Sequence, residues 1–378
     1  MPLKEFAVPV QFVDGPPREV KFSPNADDPA ARLKAEDVQQ IAEIFHTPLN
    51  GAYVWNYEEA DKKIRKLYRL GKERNWNADT DVDWSITFPR DESPVQEMFN
   101  PFVGYAPFEQ MTPEQRIDFA WHQQCWSLSQ FLHGEQGALL VASQLVSCAP
   151  TYDAKLYAAS QAFDEARHVE AFGRYINEKI GFMYPVDRHL KSLLDKILTD
   201  ERWDLKFIGM QLIVESLALA AFNTQKMIAK DKLIADIVDL VIRDESRHVA
   251  FGVTYMEDFV KALSPEEIED RAQFAYEACV IMRERIIGTD VFAYFGWPEE
   301  ASRQVVLEAK IMDEFRKLLF TRIMPNLKKV GLITDKVRPL YEKLGVLELE
   351  NLGHDGEIDW AELAAPLPLF RPADGAAQ

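Results

Sequence analysis

The chain has 378 residues, enough for one large domain or two small ones, and 47% of them are hydrophobic, so it can bury a substantial core. Its 61 acidic residues outnumber 43 basic ones for a net charge of −18, and no basic run appears, which argues against nucleic acid as a partner. The three cysteines, Cys125, Cys148 and Cys279, lack paired spacing; this excludes a disulfide framework or a cysteine-bound zinc and fits a reducing, cytoplasmic compartment.

From the N-terminus, Met1 to Pro17 carries charges and prolines in place of an apolar signal core, and residues 1–33 read as an extended arm. Ala35–Phe45 reads as a helix. Tyr57–Glu73 is a better amphipathic one, with Ile64, Leu67, Tyr68 and Leu70 on its apolar stripe. Trp76 and Trp84 follow in turn-rich sequence and read as loop anchors, an electron relay being the rarer use of such residues. Thr112-Pro113-Glu114-Gln115 is a capping box with proline at the first helical position, opening a helix that runs to Val146. A second helix covers Tyr152–Lys179, a short crossover helix Arg188–Leu198, a third Asp204–Ile228 and a fourth Leu233–Ala262. No apolar run reaches membrane-spanning length, since Leu212–Phe222 is interrupted by Glu215 and Ser216. Another capping box, Ser264-Pro265-Glu266-Glu267, opens a helix to Ile287. A further helix spans Glu299–Phe320 and ends near Pro325; short pieces and an alanine- and proline-rich tail complete the chain. The pattern is all-α, divided as accessory segments 1–111, a bundle 112–262 and further accessory helices 263–378, within one compact unit.

Two stretches carry the chemistry. Asp164-Glu165-Ala166-Arg167-His168 and Asp244-Glu245-Ser246-Arg247-His248 differ at one position and lie 80 residues apart. Each sets a carboxylate and an imidazole at i and i+3, one helical turn apart on one face, where both reach one metal ion. Glu135 and Glu215 precede them by 30 residues each and are themselves 80 apart. Were each 30-residue interval an antiparallel hairpin, its midpoint would fall at Pro150 or Lys230, both in helix-breaking sequence. All four ligand levels would then sit about 22 Å from their turns, so four carboxylates and two imidazoles meet at one height. A lone Glu-x-x-His is ordinarily a solvated pair. Two copies with matched upstream glutamates are a dinuclear site, and Ala138-Leu139 matching Ala218-Leu219 extends the repeat into an approximate two-fold axis.

These residues resemble the ferritin-like di-iron carboxylate superfamily over Thr112–Ala262. Within it, the Asp-Glu-x-Arg-His form is similar to the hydroxylase subunits of bacterial multicomponent monooxygenases and related di-iron oxygenases. The resemblance implies a ferritin-like four-helix bundle with extra N- and C-terminal helices. It also implies Glu135, Glu165, His168, Glu215, Glu245 and His248 as the ligands and catalytic centre of two irons, or of a manganese–iron pair. Asp164 and Asp244 would hydrogen-bond the ligand histidines, with Arg167 and Arg247 neutralising those aspartates. Three departures separate the chain from its relatives. Phe172 stands where radical-generating ribonucleotide reductase subunits usually carry tyrosine. Val241 stands where arylamine N-oxygenases place an extra histidine. Leu219 stands where multicomponent monooxygenases have threonine.

Near the ligands, Phe131, Leu139, Ala142, Phe172, Ala218, Leu219, Phe222 and Gly252 would form a hydrophobic pocket for an apolar or aromatic substrate. For any one of them, ordinary bundle core is the commoner role. His122, His133 and His189 are off the ligand register. The expected function is a cytoplasmic di-iron oxygenase or oxidase that uses O2 to hydroxylate or N-oxygenate a small organic molecule. Electrons would come from a ferredoxin or reductase, and a homodimer is expected. A ferroxidase, or a radical-generating subunit of a larger enzyme, are the alternatives.

Overall fold

The computed structural model describes residues 18–19, 45, 47–96, 100–285 and 287–366. Most of the N-terminal arm and of the helix expected at 35–45 lies outside the described residues. Arg18–Glu19 (β1) pairs antiparallel with Phe182–Met183 (β2), a ladder too short to leave a period in the sequence.

Helix α1 covers Lys62–Glu73 and not Tyr57–Glu73, because the Asp61 carboxylate caps it, accepting from the backbone N–H of Lys63 and Ile64 at 2.9 and 3.0 Å. The bundle's first helix, α2, runs Pro113–Cys148 behind the reciprocal Thr112–Gln115 capping box. It turns through residues 149–151 into α3, Tyr152–Tyr175, which continues as a π turn to Ile180 and stops at left-handed Gly181. The crossover helix α4 is Arg188–Thr199. Helix α5 spans Trp203–Ile228, with Ile208–Val214 wound as π-helix immediately before Glu215. It is long and apolar enough to cross a membrane by length and composition, but 89% of its most apolar window is buried inside the protein. A turn at residues 229–231 leads to α6, Lys232–Lys261, capped by Asp231. Helices α2 and α3 form one antiparallel hairpin and α5 and α6 the other, with turns where the 30-residue intervals place them.

Accessory helices cover the bundle. Helix α1 packs on α3 and α6, and α7 (Pro265–Glu284) packs on α4 and on the π segment of α5. The helix expected over 299–320 is two: α8, Glu299–Glu308, and α9, Lys310–Val330. The backbone turns extended at Ala309, whose N–H closes α8 on Val305 while its carbonyl starts α9. Pro325 does not end α9, contrary to the sequence pattern. It forfeits one hydrogen bond, but Ile323, Met324, Pro325, Asn326 and Leu327 are all buried. Asn326 also donates to Ser216 Oγ on α5 at 3.1 Å and to Asp355 at 2.8 Å, so packing and polar anchors override the proline.

Helices α5 and α6 come close at Gly252 of α6. A Cβ there would lie 2.4 Å from Gln211 Cβ and 3.5 Å from its backbone carbonyl carbon, in the π segment. Neither atom is a flexible chain end that can swing away. Gly252→Ala therefore lowers stability by about 1–3 kcal/mol, as an overpacked core does. Denaturant unfolding of the two proteins checks this; equal midpoints and slopes would contradict the close contact.

Candidate dinuclear metal centre

The four bundle helices each bring one glutamate to the same level: Glu135 from α2, Glu165 from α3, Glu215 from α5 and Glu245 from α6. His168 and His248 stand one turn beyond Glu165 and Glu245. All six are buried, from 0 to 4% exposed. Two overlapping quartets result, in each of which the ligand atoms lie within 4.8 Å of one another. One is Glu135, Glu165, Glu245 and His168; the other is Glu215, Glu165, Glu245 and His248. Glu165 and Glu245 belong to both, so the geometry distinguishes two shared carboxylates from two terminal ones.

The imidazoles point the same way. His168 Nδ1 faces Glu135 Oε2 at 3.0 Å, Glu165 Oε2 at 3.2 Å and Glu245 Oε1 at 3.2 Å. His248 Nδ1 faces Glu165 Oε1 at 3.1 Å and Glu215 Oε2 at 3.9 Å. Each Nε2 points away, to an aspartate from the other half of the repeat: His168 to Asp244 at 3.1 Å and His248 to Asp164 at 3.2 Å. Arg167 and Arg247 each bridge both aspartates. Both arginines are buried, at 4% and 1% exposed, which rules out the solvated helix face. The aspartates thus act across the repeat, and the two halves lock each other's histidines.

Three further residues extend this arrangement. Trp76 Nε1 donates to Asp244 Oδ2 at 2.8 Å, and the Arg167 guanidinium both lies over the Trp76 ring and donates to its carbonyl. This loop anchor therefore holds a specific aspartate. Gln161 donates to Glu165 and Glu215, both at 3.1 Å, and Gln211 donates to Gln161 at 3.4 Å. Sequence reading passes over Gln161, although its place one turn before Glu165 is a signal. The matching position before Glu245 is Val241, fully buried and without a donor, so the two halves differ here.

Among the expected pocket residues, Phe131, Phe172 and Phe222 meet as an aromatic cluster. The Phe131 and Phe222 rings are edge to face at 4.7 Å, and Phe172 stacks on Phe222 at 5.8 Å. Ala142 and Leu219 are fully buried, and Leu139 and Ala218 half-buried. Gly252 lies at the helix contact with Gln211. His122 and His133 bond to Tyr184, and His189 stands beside Asp187, apart from the glutamates.

Electrostatics fit two cations. Six buried carboxylates (the four glutamates, Asp164 and Asp244) face two buried guanidiniums, and the remaining four negative charges equal those of two divalent ions. Neither oxygen of Glu245 nor Nδ1 of His248 has a hydrogen-bond partner, although all three are buried. Oxygen-rich ligation with two imidazoles suits iron or manganese. Burial, then the Glu245 charge, raises the Glu135 and Glu215 carboxyls well above the ordinary range. Burial also opposes charge on Glu165 and Glu245. At Glu165 the imidazolium charges win and hold its carboxyl well below the usual value. Glu245 is pulled down against both burial and the Glu165 charge by His248, Glu215 and His168. Burial would lower both histidines, but Asp244 and Glu135 raise His168, and Glu165 and Glu245 raise His248.

A family model described as p-aminobenzoate N-oxygenase AurF matches residues 57–331. No curated protein matches the chain in sequence. Among solved structures, it is similar to an R2-like ligand-binding oxidase with aerobically reconstituted metal cofactor after photoconversion. That match is 20% identical over 74% of this chain and 95% of the other, with a TM-score of 0.47. A second structure of an R2-like ligand-binding oxidase, with an aerobically reconstituted Mn/Fe cofactor, is 18% identical over 72% and 94% of the two chains, with a TM-score of 0.47.

Metal binding must displace protons here. In the metal-free protein Glu135, Glu215 and the two histidines hold protons to higher pH than ordinary groups, and ligation needs them deprotonated. Calorimetric titration with Mn(II) in two buffers of different ionisation enthalpy should show proton release, with affinity rising as pH rises. Binding without proton release would contradict the assigned protonation.

Proposed function

The chain belongs to the family of p-aminobenzoate N-oxygenases, and from that premise we propose that it N-oxygenates an aromatic amine at a metal pair held by the six glutamate and histidine side chains. Membership makes it a di-metal, oxygen-dependent oxidoreductase of the ferritin-like class. The observation that carries the reading of the site is the pair of overlapping quartets sharing Glu165 and Glu245. In this reading Glu135 and His168 would hold one metal and Glu215 and His248 the other, with Glu165 and Glu245 within reach of both. With Val241 before Glu245, two histidines and no third stand at the centre among the described residues.

When bound, the metal pair supplies the electrons that reduce O2. The protein does the rest. Asp164 and Asp244 accept the Nε2 protons of His248 and His168, which fixes each tautomer with Nδ1 turned inward. The arginine pair balances the aspartates, so their charge does not add to that of the glutamates. Gln161 holds Glu165 and Glu215 by their Oε1 atoms, with Glu165 Oε2 toward His168 and Glu215 Oε2 toward His248. Phe131, Phe172 and Phe222 exclude water from one end of the centre and offer ring faces to an aromatic substrate. In the same proposal a ferredoxin or reductase returns electrons between turnovers, and the protein works as a homodimer in the cytoplasm.

Anaerobic loading with Fe(II) followed by O2 and aniline tests the reaction. The expected result is two irons per chain and an N-oxygenated product whose new oxygen comes from O2. Glu165→Ala and His248→Ala should each lose most of the bound metal and all of the product. Accumulation of many irons per chain as mineral would favour a ferroxidase, and a persistent protein radical without product would favour a radical-generating subunit.

The aspartate lock gives a separate prediction. Asp244→Asn keeps the volume but removes the charge that holds the His168 Nε2 proton and helps balance two guanidiniums. Loss of such a partner typically weakens metal binding by about 10–100-fold. Competition with a chelator of known affinity measures this; unchanged affinity would show that the aspartate does not orient the ligand.

A further inference from the structure

The chain as a whole is acidic, but helix α1 is not. Lys62–Glu73 holds six of the 43 basic residues and one of the 61 acidic ones. Isoleucine, leucine and tyrosine interrupt the basic residues in sequence, so they form no run. The helix nevertheless turns Ile64, Leu67 and Leu70 inward and leaves Lys62, Lys63, Lys66, Arg69 and Lys72 exposed. Arg69 pairs with Glu59 at 2.8 Å, whereas none of the four lysines has a carboxylate partner among the described residues. Beside this face, residues 52–60 cross the surface without helix or strand. Their ends are fixed. The Ala52 N–H donates to the Ser147 carbonyl at 2.9 Å, and those of Ala60 and Asp61 donate to Asp153 Oδ2 at 2.9 and 2.7 Å. Between these anchors Tyr53, Trp55 and Tyr57 are 85%, 73% and 61% exposed. Tyr53 stacks on Trp55 at 5.0 Å, and Tyr57 meets Tyr152, over whose ring Arg65 of α1 lies. Exposed aromatic rings with a basic margin thus form one patch.

The patch lies close to the buried centre. Helix α1 packs on α3 and α6, which carry the two Asp-Glu-x-Arg-His segments. A Cβ built on Gly71 would stand 3.9 Å from Arg247 Nε, and Arg247 contacts Asp164 and Asp244, the partners of the two histidine Nε2 atoms. One helix, about 10 Å across, therefore separates the lysines from the network that holds the histidines. N-oxygenation of an arylamine takes up O2, two electrons and two protons, and releases the hydroxylamine and water. We propose that an acidic one-electron carrier protein of the [2Fe–2S] ferredoxin class docks on this patch and supplies those electrons. Its carboxylates face Lys62, Lys63, Lys66 and Lys72, and Tyr53 and Trp55 form the apolar part of the contact. Two carriers dock per turnover, and each leaves oxidised by one electron. Lysines beside exposed aromatic rings also suit an anionic membrane. A lipid surface supplies no electrons, however, and the nearness of the histidines favours the carrier. The inference rests on the oxygenase reading for the demand for electrons, whereas docking is measurable without turnover.

The test is surface plasmon resonance under nitrogen, with the full-length metal-loaded protein and a reduced, acidic plant-type [2Fe–2S] ferredoxin. Lys62→Glu combined with Lys66→Glu should slow association roughly tenfold at low salt, and the difference should vanish at high salt, as charge steering requires. Lys310→Glu combined with Lys336→Glu makes the same charge change at exposed positions elsewhere and should leave the rate as it was. Position 62 opens α1, where the helix N-terminus favours glutamate, and thermal unfolding identifies a variant that does not fold. Trp55→Ala lies outside every helix and should speed dissociation roughly tenfold, as loss of an interface aromatic does. The proposal is overturned if the ferredoxin does not bind, if both lysine pairs slow association equally, or if either the Lys62 and Lys66 variant or Trp55→Ala binds as the unmodified protein does. Cosedimentation with phosphatidylserine vesicles that depends on Lys62 and Lys66, without ferredoxin binding, would assign the patch to a membrane instead. Reduction of the unmodified protein by dithionite, followed by O2 and aniline, separates the two readings. N-oxygenation there without lysine-dependent ferredoxin binding removes the docking surface alone. Lysine-dependent binding without N-oxygenation by either reductant leaves the docking surface standing and removes the oxygenase reading.

Discussion

The structure depends on keeping six carboxylates in a place where water does not reach them. An isolated carboxylate transferred to such an interior costs several kcal/mol even after relaxation, so the arrangement stands only if opposite charge arrives with the right geometry. Part of that charge is built in: Arg167 and Arg247 each contact Asp164 and Asp244. The remainder must come as protons or as metal. Without metal, burial and mutual repulsion raise the Glu135 and Glu215 carboxyls well above the ordinary range, and the carboxylates in turn raise both imidazoles. The apo and loaded states are thus two solutions to one electrostatic problem, and exchanging one for the other is the binding reaction.

This constraint also explains why Asp, Glu, Arg and His recur in both motifs. Because each aspartate serves the histidine of the opposite half, neither Asp-Glu-x-Arg-His segment is complete alone. The repeat is broken at Gln161 against Val241, and Trp76 anchors Asp244 alone. The two overlapping quartets therefore have inequivalent surroundings. Phe131, Phe172 and Phe222 pack together as one aromatic cluster.

Much of this was legible in the sequence. The 80-residue repeat and the 30-residue intervals placed the clustered glutamates and histidines and both hairpin turns, because helical rise is constant and caps such as Thr112 and Asp231 are local signals. What was not legible depends on tertiary contact. The continuation of α9 through Pro325 is decided by Ser216 and Asp355, far away in sequence. The π segment before Glu215 has no compositional mark, and the close contact of Gly252 with Gln211 joins residues 41 positions apart. The crossed pairing of aspartates and histidines could not be told from pairing within each motif. Of several candidate subfamilies, the family match selected the N-oxygenases, although Val241 departs from their histidine pattern.

The central claim is that two metals share Glu165 and Glu245 and are held by inward-facing Nδ1 atoms. Anomalous diffraction from crystals of the protein loaded with Mn(II) tests it most directly. The account predicts two peaks about 3.5–4 Å apart, one bounded by Glu135 and His168 and the other by Glu215 and His248, with both shared glutamates between them. A single peak, or ligation through Nε2 with the aspartates displaced, would contradict it.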